Sequence, residues 1–375
     1  MKYSIAICCS VLLSIQALAQ PAMVLGPDLE PKTVGLDTVS LSDDGLLRLR
    51  LSADPITPLN NKQYVARLVD GQVLVGTLMD AGKDGETIRL AMDYQQRSVA
   101  FPLDDLLSLA LVGTSLVGDA SDDTLLLATG ETLIGFVDAI GEDGIGFVIG
   151  DAEDPIQIPM DRIRGFSIAN KPQPVKAEKG LARVLLRGGS SLLLRDAALK
   201  RATKREGSSL SGTLTIGGES TTITMPLNEV HLIEPRSGRY VLERLADSAM
   251  TLISGGEVFS VKMPPRIDRD GSIHLHAPTT LGFDLSKGAS RLAFMVAMDL
   301  DDTIPQTRRA MAGCELIVYD GDEVIARHTL TPDGPPKRLN VALAGGDLRI
   351  ALQAGVNGPV LDRVVISQAE LLVSE

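Results

Sequence analysis

The sequence predicts an all-β protein in which three small barrel-like repeats are followed by a C-terminal antiparallel β-sandwich, or jelly roll. Three observations predict this architecture. Short apolar stretches alternate with glycine-containing turns along most of the chain, which is typical of antiparallel hairpins. A pattern of turns and prolines recurs three times in the middle of the chain. After residue 237 the strand-like stretches become longer, as they are in sandwiches.

Composition and charge limit the classes of partner. The chain has 375 residues and 44% hydrophobic residues, which is a globular composition with room for several domains. Its formal net charge of -12 opposes binding to nucleic-acid phosphates, so nucleic acid is excluded as a partner. Aromatic residues make up only 3%, and Trp is absent. This scarcity counts against a binding site built on stacked rings.

The first residues read as a signal peptide. Lys2 supplies a positive n-region, the stretch 5–15 is an apolar h-region, and the small-x-small motif Ala17–Ala19 places cleavage before Gln20. We therefore expect an exported protein that is periplasmic, cell-surface or extracellular. No later stretch is apolar enough for a second anchor, so we expect no transmembrane segment after cleavage.

Cysteine usage points away from disulfides and thiol chemistry. Cys8 and Cys9 lie in the segment expected to be removed, which leaves Cys314. One cysteine has no intramolecular partner. Cys314 lies in an apolar alternation, and the nearest histidine in sequence is His328, so we expect a buried small hydrophobe rather than a nucleophile.

Equally spaced glycines mark the three repeats. Gly71, Gly130 and Gly189 each lie between two apolar stretches, where a glycine with positive φ permits a tight hairpin turn. Each repeat also closes on a Pro, a Leu or Met, and an Asp or Asn, with the prolines at Pro102, Pro159 and Pro226. Because Pro cannot donate to a strand ladder, it should end the preceding strand. This arrangement resembles small Sm-like or Src-homology-type barrels.

Composition shifts divide the chain. The expected divisions are a signal peptide (1–19), an N-terminal extension (20–62), three barrel-like repeats (63–113, 122–170 and 180–236) and a C-terminal sandwich (237–375). The third repeat carries an insertion with a basic cluster, which consists of Arg195, Lys200, Arg201, Lys204 and Arg205. We interpret this cluster as a solvated loop, with anion binding as the alternative.

The last third contains, in order, the stretches 273–278, 283–285, 296–299, 318–321, 357–358, Asp362 and 369–371. With these stretches it resembles the NPCBM domain, a carbohydrate-binding type of module found in exported bacterial proteins. The closing motif departs from the family, because Arg363 follows Asp362 where a His is usual and Ile366 is present where the family has a Trp. The resemblance implies a β-sandwich that binds glycans, but the ring that could stack on a sugar is missing.

Two groups of residues are candidate metal ligands. His274 and His276 alternate along one predicted strand, with no third ligand visible, so we expect structural roles for both. The acidic loop with Asp299, Asp301 and Asp302 is the candidate calcium site, because oxygen-rich loops on β-sandwiches hold Ca²⁺. A solvated, turn-forming loop is the alternative. Apart from this calcium, we expect no cofactor.

Asp362 is the retained acidic residue of the closing motif, and we expect it to be structural. An acidic residue at the start of a strand can accept hydrogen bonds from loop backbone, here from the Asn357–Gly358 turn. Its removal should therefore lower stability rather than only weaken binding.

The sequence favours a non-catalytic binding protein. It contains no His-Glu-x-x-His, Gly-x-Ser-x-Gly, Gly-rich phosphate loop or Cys-x-x-Cys. Glycosidases need two carboxylates, but among 48 acidic residues a pair is easily found and does not indicate a glycosidase. We expect glycan binding by the C-terminal sandwich. The alternatives are an envelope scaffold that contacts other proteins, and a hydrolase without a recognisable motif. An apolar patch on the repeats would favour protein partners, and a cleft with convergent carboxylates would favour catalysis.

Overall fold

The structure, a computed structural model, is all-β with antiparallel sheets. It describes residues 21–51, 60–81, 85–92, 98–114, 116, 121–141, 144–150, 152, 154–173, 175–201, 207–236, 239–268, 271–301, 303–359 and 361–374. Within these ranges the only α-helix is α1 (Gln306–Arg309). In the same ranges, no helix has the length and apolar character needed to cross a membrane.

The described chain forms two compact units. The first contains the described residues up to 24 and those from 32 to 236, and the second contains residues 25–31 and those from 239 onward. The structure therefore differs from the expectation of a separate N-terminal extension at 20–62. One short piece of that extension belongs to the second unit, and its flanking residues belong to the first.

The first unit contains three N-terminal strands and three five-stranded repeats. The N-terminal strands are β1 (Pro21–Leu25), β2 (Pro31–Gly35) and β3 (Arg48–Arg50). The first repeat consists of β4 (Tyr64–Leu68), β5 (Val73–Ala81), β6 (Thr87–Met92), β7 (Ser98–Pro102) and β8 (Leu106–Leu111). The second consists of β9 (Asp123–Leu127), β10 (Thr132–Gly141), β11 (Gly144–Ile149), β12 (Ile156–Ile158) and β13 (Ile163–Ser167). The third consists of β14 (Ala182–Leu186), β15 (Ser191–Lys200), β16 (Ser209–Ile216), β17 (Glu219–Pro226) and β18 (Val230–Pro235).

All three repeats have the same strand order. In each, the first four strands pair in sequence and the last strand pairs with the first, which gives the sheet order β8–β4–β5–β6–β7 in the first repeat. The second and third repeats follow the same order. Closure of each sheet into a barrel stays a prediction.

The first hairpin turn is the same in each repeat. Gly71, Gly130 and Gly189 have φ values of 88°, 90° and 87°. The amide of each glycine donates to the carbonyl three residues earlier, at 3.0 Å in all three repeats. A side chain would strain the backbone at this φ, because the left-handed region suits glycine. The equal spacing in the sequence therefore reflects one repeated turn geometry.

Pro102, Pro159 and Pro226 also occupy one common position. Each immediately precedes a short 3₁₀ turn that leads into the last strand of its repeat, and each has extended backbone with φ between −72° and −59°. The 3₁₀ turn then brings the chain back to the first hairpin. For example, the Val69 amide donates to the Asp105 carbonyl at 2.8 Å. The proline ends one strand and fixes the start of the next.

The three repeats share one hydrophobic core. Phe101 in the first, Phe147 and Phe166 in the second, and Leu194 in the third are all buried within a single cluster. A five-stranded unit of about 50 residues buries too little apolar surface to be stable alone. Sharing the core overcomes this limit, and strand β13 adds to it by pairing with β8 of the preceding repeat.

Buried polar side chains join the first repeat to the third. The side-chain amide of Gln72 donates to the Thr215 carbonyl at 3.0 Å, and its oxygen accepts from the Leu193 amide at 3.0 Å. Ser190 of the third repeat adds a further bond, because its hydroxyl accepts from the Val75 amide of the first repeat at 3.0 Å. Gln72 is almost fully buried, so its bonds satisfy backbone groups that water cannot reach.

The second unit contains two larger antiparallel sheets. Its strands are β19 (Tyr240–Arg244), β20 (Ala249–Gly255), β21 (Glu257–Val258), β22 (Val261–Lys262), β23 (Arg266–Ile267), β24 (Ile273–His276), β25 (Thr279–Asp284), β26 (Ala289–Met298), β27 (Cys314–Asp320), β28 (Glu323–Leu330), β29 (Lys337–Ala342), β30 (Leu348–Ala354) and β31 (Arg363–Ser374). One sheet has the order β23–β24–β31–β26–β29, with β19 also pairing with β31, and the other has the order β20–β25–β30–β27–β28.

One apolar cluster lies between the two sheets. Phe294 and Ile366 belong to one sheet, Leu316 and Ile350 belong to the other, and all four are fully buried in the same core. Alternate residues of each strand enter this core, as expected for antiparallel strands with one buried face. The two-sheet arrangement is the one that the longer strands of the sequence predicted.

The short segment 25–31 lies against strand β29 of the second unit. The Arg338 guanidinium donates to the Leu29 carbonyl at 2.7 Å. The Asn340 amide donates to the Asp28 carbonyl at 2.7 Å and to the Glu30 carboxylate at 2.6 Å. Strand β29 is at the end of its sheet order, and these side-chain bonds cover an edge that would otherwise be open to pairing.

We predict that Gln72→Ala destabilises the first unit. The substitution leaves the buried Leu193 amide without its acceptor, and an unsatisfied buried group costs about 1–3 kcal/mol. The matched control is Gln157→Ala, because Gln157 is an exposed glutamine on strand β12. Urea denaturation should show a lower midpoint for Gln72→Ala and an unchanged midpoint for the control. Equal midpoints would mean that Gln72 does not hold the repeats together.

Candidate functional site

A buried carboxylate organises one end of the sandwich. Asp362 is fully buried and precedes strand β31. One of its oxygens accepts from the Gly313 amide at 2.8 Å, and the other accepts from the Gly355 amide at 2.9 Å. The carboxylate therefore joins the loop before β27 to the loop after β30.

The partners of Asp362 differ from the expected ones in one respect. The sequence predicted donors from Asn357 and Gly358, whereas the structure uses Gly355 in the same loop and Gly313 in a different one. Gly355 is needed because a Cβ there would lie 1.9 Å from the Gly313 carbonyl oxygen. The Asn357 side chain contributes as well, by donating to the Met311 carbonyl at 3.1 Å. The two loops are thus held together by backbone and side-chain bonds.

Cys314 lies beside this carboxylate and is buried. Its sulfur is 3.7 Å from the Met298 sulfur. Burial, together with the negative charge of Asp362, raises the pKa of the Cys314 thiol to about 12. Since the thiolate is the reactive form, Cys314 is unsuited to nucleophilic chemistry at neutral pH.

His274 is on strand β24, which pairs with β31, and lies between two carboxylates. Its Nδ1 is 2.9 Å from an Asp299 oxygen, and its Nε2 is 3.0 Å from an Asp268 oxygen. The other oxygen of Asp268 is 3.1 Å from the Arg266 guanidinium. The His274 side chain is 20% exposed, and both carboxylates are more than 40% exposed. We call these four residues the His274 face.

The geometry of the His274 face follows from strand pairing. Strand β24 pairs with β31, with His274 opposite Val365. Strand β26 lies on the other side of β31, and beyond its end the Asp299 amide donates to the Arg363 carbonyl at 2.8 Å. These contacts bring Asp299 back toward β24. The four side chains are therefore held by one another and by the sheet.

The acidic loop after β26 forms a turn. An Asp301 oxygen accepts from the Thr303 amide at 2.8 Å, as in an Asx turn. This hydrogen bond, a second one from the Thr303 side chain and the positive charge of Arg363 lower the pKa of Asp301. Asp301 is exposed and ionised at neutral pH.

Two of the three candidate calcium ligands, Asp299 and Asp301, lie within the described residues. Asp299 contacts His274, Asp301 contacts Thr303, and Asp302 lies outside the described residues. Among the described side chains, no three from His, Cys, Asp and Glu are placed to hold a metal ion. Calcium binding at this loop stays a prediction.

His276, the second candidate metal-ligating histidine, has a structural partner. Its ring is buried, with Nδ1 2.8 Å from the Ala277 carbonyl oxygen.

The basic cluster is partly described. Arg195 forms an exposed ion pair with Glu178, and Arg201 donates to the Asp37 carbonyl at 2.6 Å. Lys204 and Arg205 lie outside the described residues. The described arginines have protein partners, in agreement with a solvated surface.

Exposed aromatic rings are few. Among the described residues, the aromatic side chains with the largest exposed fractions are those of Phe136, which is 61% exposed, and Phe259, which is 76% exposed. Phe259 is at the tip of the β21–β22 hairpin in the second unit. Tyr319 is partly covered by the Arg349 guanidinium, which lies 5.2 Å from its ring centroid. Within the described part of the sandwich, Phe259 is therefore the only largely exposed aromatic side chain.

An apolar patch lies on the second repeat. Ile134 and Phe136 alternate along one face of strand β10 and are 54% and 61% exposed. Val148 of β11 lies directly opposite Phe136. We call these three residues the β10 patch. Val148 is half-buried, so the exposed apolar surface of the β10 patch is that of Ile134 and Phe136. Contiguous exposed apolar surface is typical of interaction sites.

Comparisons with known proteins give distant structural likenesses. No family model and no curated protein sequence matches the chain, so the NPCBM resemblance stays a prediction. The CBM51-2 and INT domains of Clostridium perfringens ZmpB match with 16% identity and a TM-score of 0.28, covering 48% of this chain and 40% of that one. A CBM51 from Clostridium perfringens GH95, in complex with methyl-galactose, matches with 15% identity and a TM-score of 0.25, covering 35% of this chain and 99% of that one.

A longer Clostridium perfringens ZmpB structure, with the M60 catalytic domain and two CBM51 domains, matches with 14% identity and a TM-score of 0.28. That match covers 95% of this chain and 46% of the other. The chain thus spans less than half the length of both ZmpB structures. At these scores the likenesses assign neither a site nor a ligand to it.

We predict that Asp362→Ala lowers stability by about 3 kcal/mol or more, because it removes two charge-assisted bonds from buried amides. The matched control is Asp333→Ala, at an exposed aspartate of the same unit. Thermal unfolding followed by circular dichroism should show a clear fall in Tm for Asp362→Ala alone. An unchanged Tm would make Asp362 a recognition residue rather than a structural one.

Proposed function

We propose that this protein is an exported, non-catalytic binding protein whose sandwich binds glycans at the His274 face. The observation that carries the proposal is the His274 ring held between Asp268 and Asp299 on one sheet of the sandwich. Sugar hydroxyls are recognised by hydrogen-bonding groups whose positions are fixed before the ligand arrives. On this face Arg266 and His274 are on strands, and Asp268 and Asp299 each directly follow a strand.

The chemistry of the face suits hydroxyl groups. Asp268 and Asp299 are partly exposed and each retains acceptor capacity, while the exposed Arg266 guanidinium has five N–H donors, of which one faces Asp268. A vicinal pair of hydroxyls can donate to a carboxylate and accept from a guanidinium. Because the His274 face contains no Phe, Tyr or Trp ring to stack on a sugar, we expect weak affinity for single sugars and tighter binding to glycans of several sugar units.

The non-catalytic part of the proposal rests on the buried state of the reactive groups. Cys314 and Asp362 are enclosed, and the exposed carboxylates of the face contact a histidine or an arginine rather than converging on a cleft. Hydrolysis of a glycosidic bond requires two carboxylates on opposite sides of that bond.

We predict that the full mature chain binds immobilised glycans and that Asp268→Asn with Asp299→Asn strongly weakens this binding. Loss of hydrogen bonds to two charged groups, at about 1.5–3 kcal/mol each, should weaken affinity by a factor of about 100 or more. The control is Asp333→Asn, an exposed change in the same unit. A glycan array followed by calorimetry on the best ligand measures the effect. Failure to retain any glycan, or full binding by the double variant, would contradict the proposal.

A second candidate function is protein binding, which the β10 patch favours. Exposed Ile134 and Phe136 are suited to contact with an apolar surface of another protein of the cell envelope. This function would make the three repeats a scaffold.

We predict that a photo-crosslinker at position 134 gives a defined adduct in the exporting cell, and that Phe136→Glu removes it by placing a charge in the contact. The matched control is Met79→Glu, because Met79 is 57% exposed on the first repeat. An adduct that survives Phe136→Glu, or that Met79→Glu also removes, would argue against protein binding by the β10 patch.

A further inference from the structure

A cleft lies where the first repeat meets the third. The first repeat contributes Met92, at the end of strand β6, and residues 98–100 of strand β7. The third repeat contributes side chains of strands β15, β16 and β17, namely Leu192, Leu214, Ile216, Glu219, Thr221 and Ile223. The cleft has a volume of about 100 Å³. An apolar cavity of about 150 Å³ is large enough to hold benzene, so this cleft has room for a group of about four carbon atoms.

Every buried side chain of the cleft is apolar. Leu192 is fully buried, and the other buried side chains of the lining are at most 8% exposed, namely those of Met92, Leu214, Ile216 and Ile223. A water molecule inside a protein needs several polar partners, and these apolar side chains are poor ones. Burial of a further apolar group against them is favourable. The inner part of the cleft therefore suits a hydrocarbon group.

The mouth of the cleft is polar. Ser98, Glu219 and Thr221 line it and are exposed. Glu219, Thr221 and Ile223 alternate along strand β17, so they share one face of the strand, and this face runs from solvent to the buried floor. Among the described residues, the Glu219 carboxylate has no ion-pair partner. An unpaired carboxylate at the mouth favours a ligand with a positive charge next to its hydrocarbon part.

Contacts between the two repeats fix the walls of the cleft. The Gln72 side-chain amide of the first repeat donates to the Thr215 carbonyl at 3.0 Å, and Thr215 lies on strand β16 between two residues of the lining. At the turn after this strand, a Cβ on Gly217 would lie 3.1 Å from the Ala100 carbonyl oxygen, so backbone of the third repeat lies directly against strand β7. The cleft is therefore formed before a ligand arrives, which reduces the free-energy cost of ordering on binding.

We propose that this cleft binds a short aliphatic group that carries a positively charged amino group, as an alkylammonium ion does. The hydrocarbon part occupies the apolar floor, and the ammonium group lies at the mouth, where the Glu219 carboxylate and the hydroxyl groups of Ser98 and Thr221 are acceptors. An alkyl carboxylate of the same size would place a negative charge beside Glu219 and would bind less tightly. The site is in the first unit, so it is independent of glycan binding at the His274 face of the second.

Affinity for alkylammonium ions should rise with chain length and then stop rising. Each methylene group that becomes buried should tighten binding about fourfold. We therefore expect affinity to rise from methylammonium to n-butylammonium and to be the same for n-hexylammonium, whose outer carbons remain in water. A rise that continues to n-hexylammonium, or no rise at all, would contradict a cleft of this size.

Nuclear magnetic resonance of the full mature chain with methyl-labelled methionine tests the site. Met92 lines the cleft, its signal can be assigned with Met92→Leu, and Met298 on strand β26 of the second unit serves as an internal reference. Titration with n-butylammonium at constant ionic strength should shift the Met92 methyl signal saturably and leave that of Met298 unchanged. Butyrate should need a concentration about threefold higher or more for the same shift. An unmoved Met92 signal, or an equal response to butyrate, would overturn the proposal.

Two pairs of variants at exposed positions locate the ligand. Thr221→Trp should block the mouth and abolish the Met92 shift, whereas Thr222→Trp, on the opposite face of the same strand, should not. Glu219→Gln should weaken n-butylammonium binding about threefold, whereas Glu131→Gln, at an exposed glutamate of the second repeat, should leave it unchanged. Full binding by Thr221→Trp, or an equal loss in both tryptophan variants, would contradict the site.

The same chemistry occurs in a free amine and in an aliphatic first residue of a peptide with a free amino group. The tripeptide leucyl-glycyl-glycine distinguishes the two sources. A Met92 shift at a lower concentration of this peptide than of n-butylammonium, lost when the peptide is acetylated, would identify a peptide terminus as the ligand. A shift with alkylammonium ions only would identify a free amine. Equal binding of the acetylated peptide would overturn the requirement for a positive charge.

Discussion

The buried carboxylate of Asp362 is the constraint on which the candidate glycan site depends. A charge can be buried only where donors surround it, and here the donors are the amides of Gly313 and Gly355. The loops that contain these glycines must therefore meet over Asp362, which in turn fixes the start of strand β31. The carbonyl of the next residue, Arg363, accepts a hydrogen bond from the Asp299 amide, and the Asp299 carboxylate contacts the His274 ring. The geometry of the His274 face thus depends on a carboxylate that is fully buried.

The first unit shows how small repeats become stable without large cores of their own. The same glycine turn and the same proline bring the last strand of each repeat beside the first. The repeats then share one apolar cluster and exchange buried hydrogen bonds through Gln72 and Ser190. Such an arrangement leaves outer faces free to carry different residues, as the β10 patch does.

Local chemistry made part of this structure predictable. The turn glycines and the strand-ending prolines act within a few residues, so their spacing in the sequence was sufficient. The buried role of Asp362 also followed from its place before an apolar strand, although one of its two donors, Gly313, is distant in sequence. The partners of Gln72 and His274 were not predictable, because they come from distant strands. With 48 acidic residues, nothing in the sequence distinguishes Asp268 from the rest.

Glycan binding at the His274 face of the second unit can be tested by hydrogen exchange followed by mass spectrometry, with and without a saturating bound glycan. We expect slower exchange in peptides that cover 266–276 and 296–303, and unchanged exchange in those that cover 132–149. Protection confined to 132–149, or to any segment outside the His274 face, would contradict it.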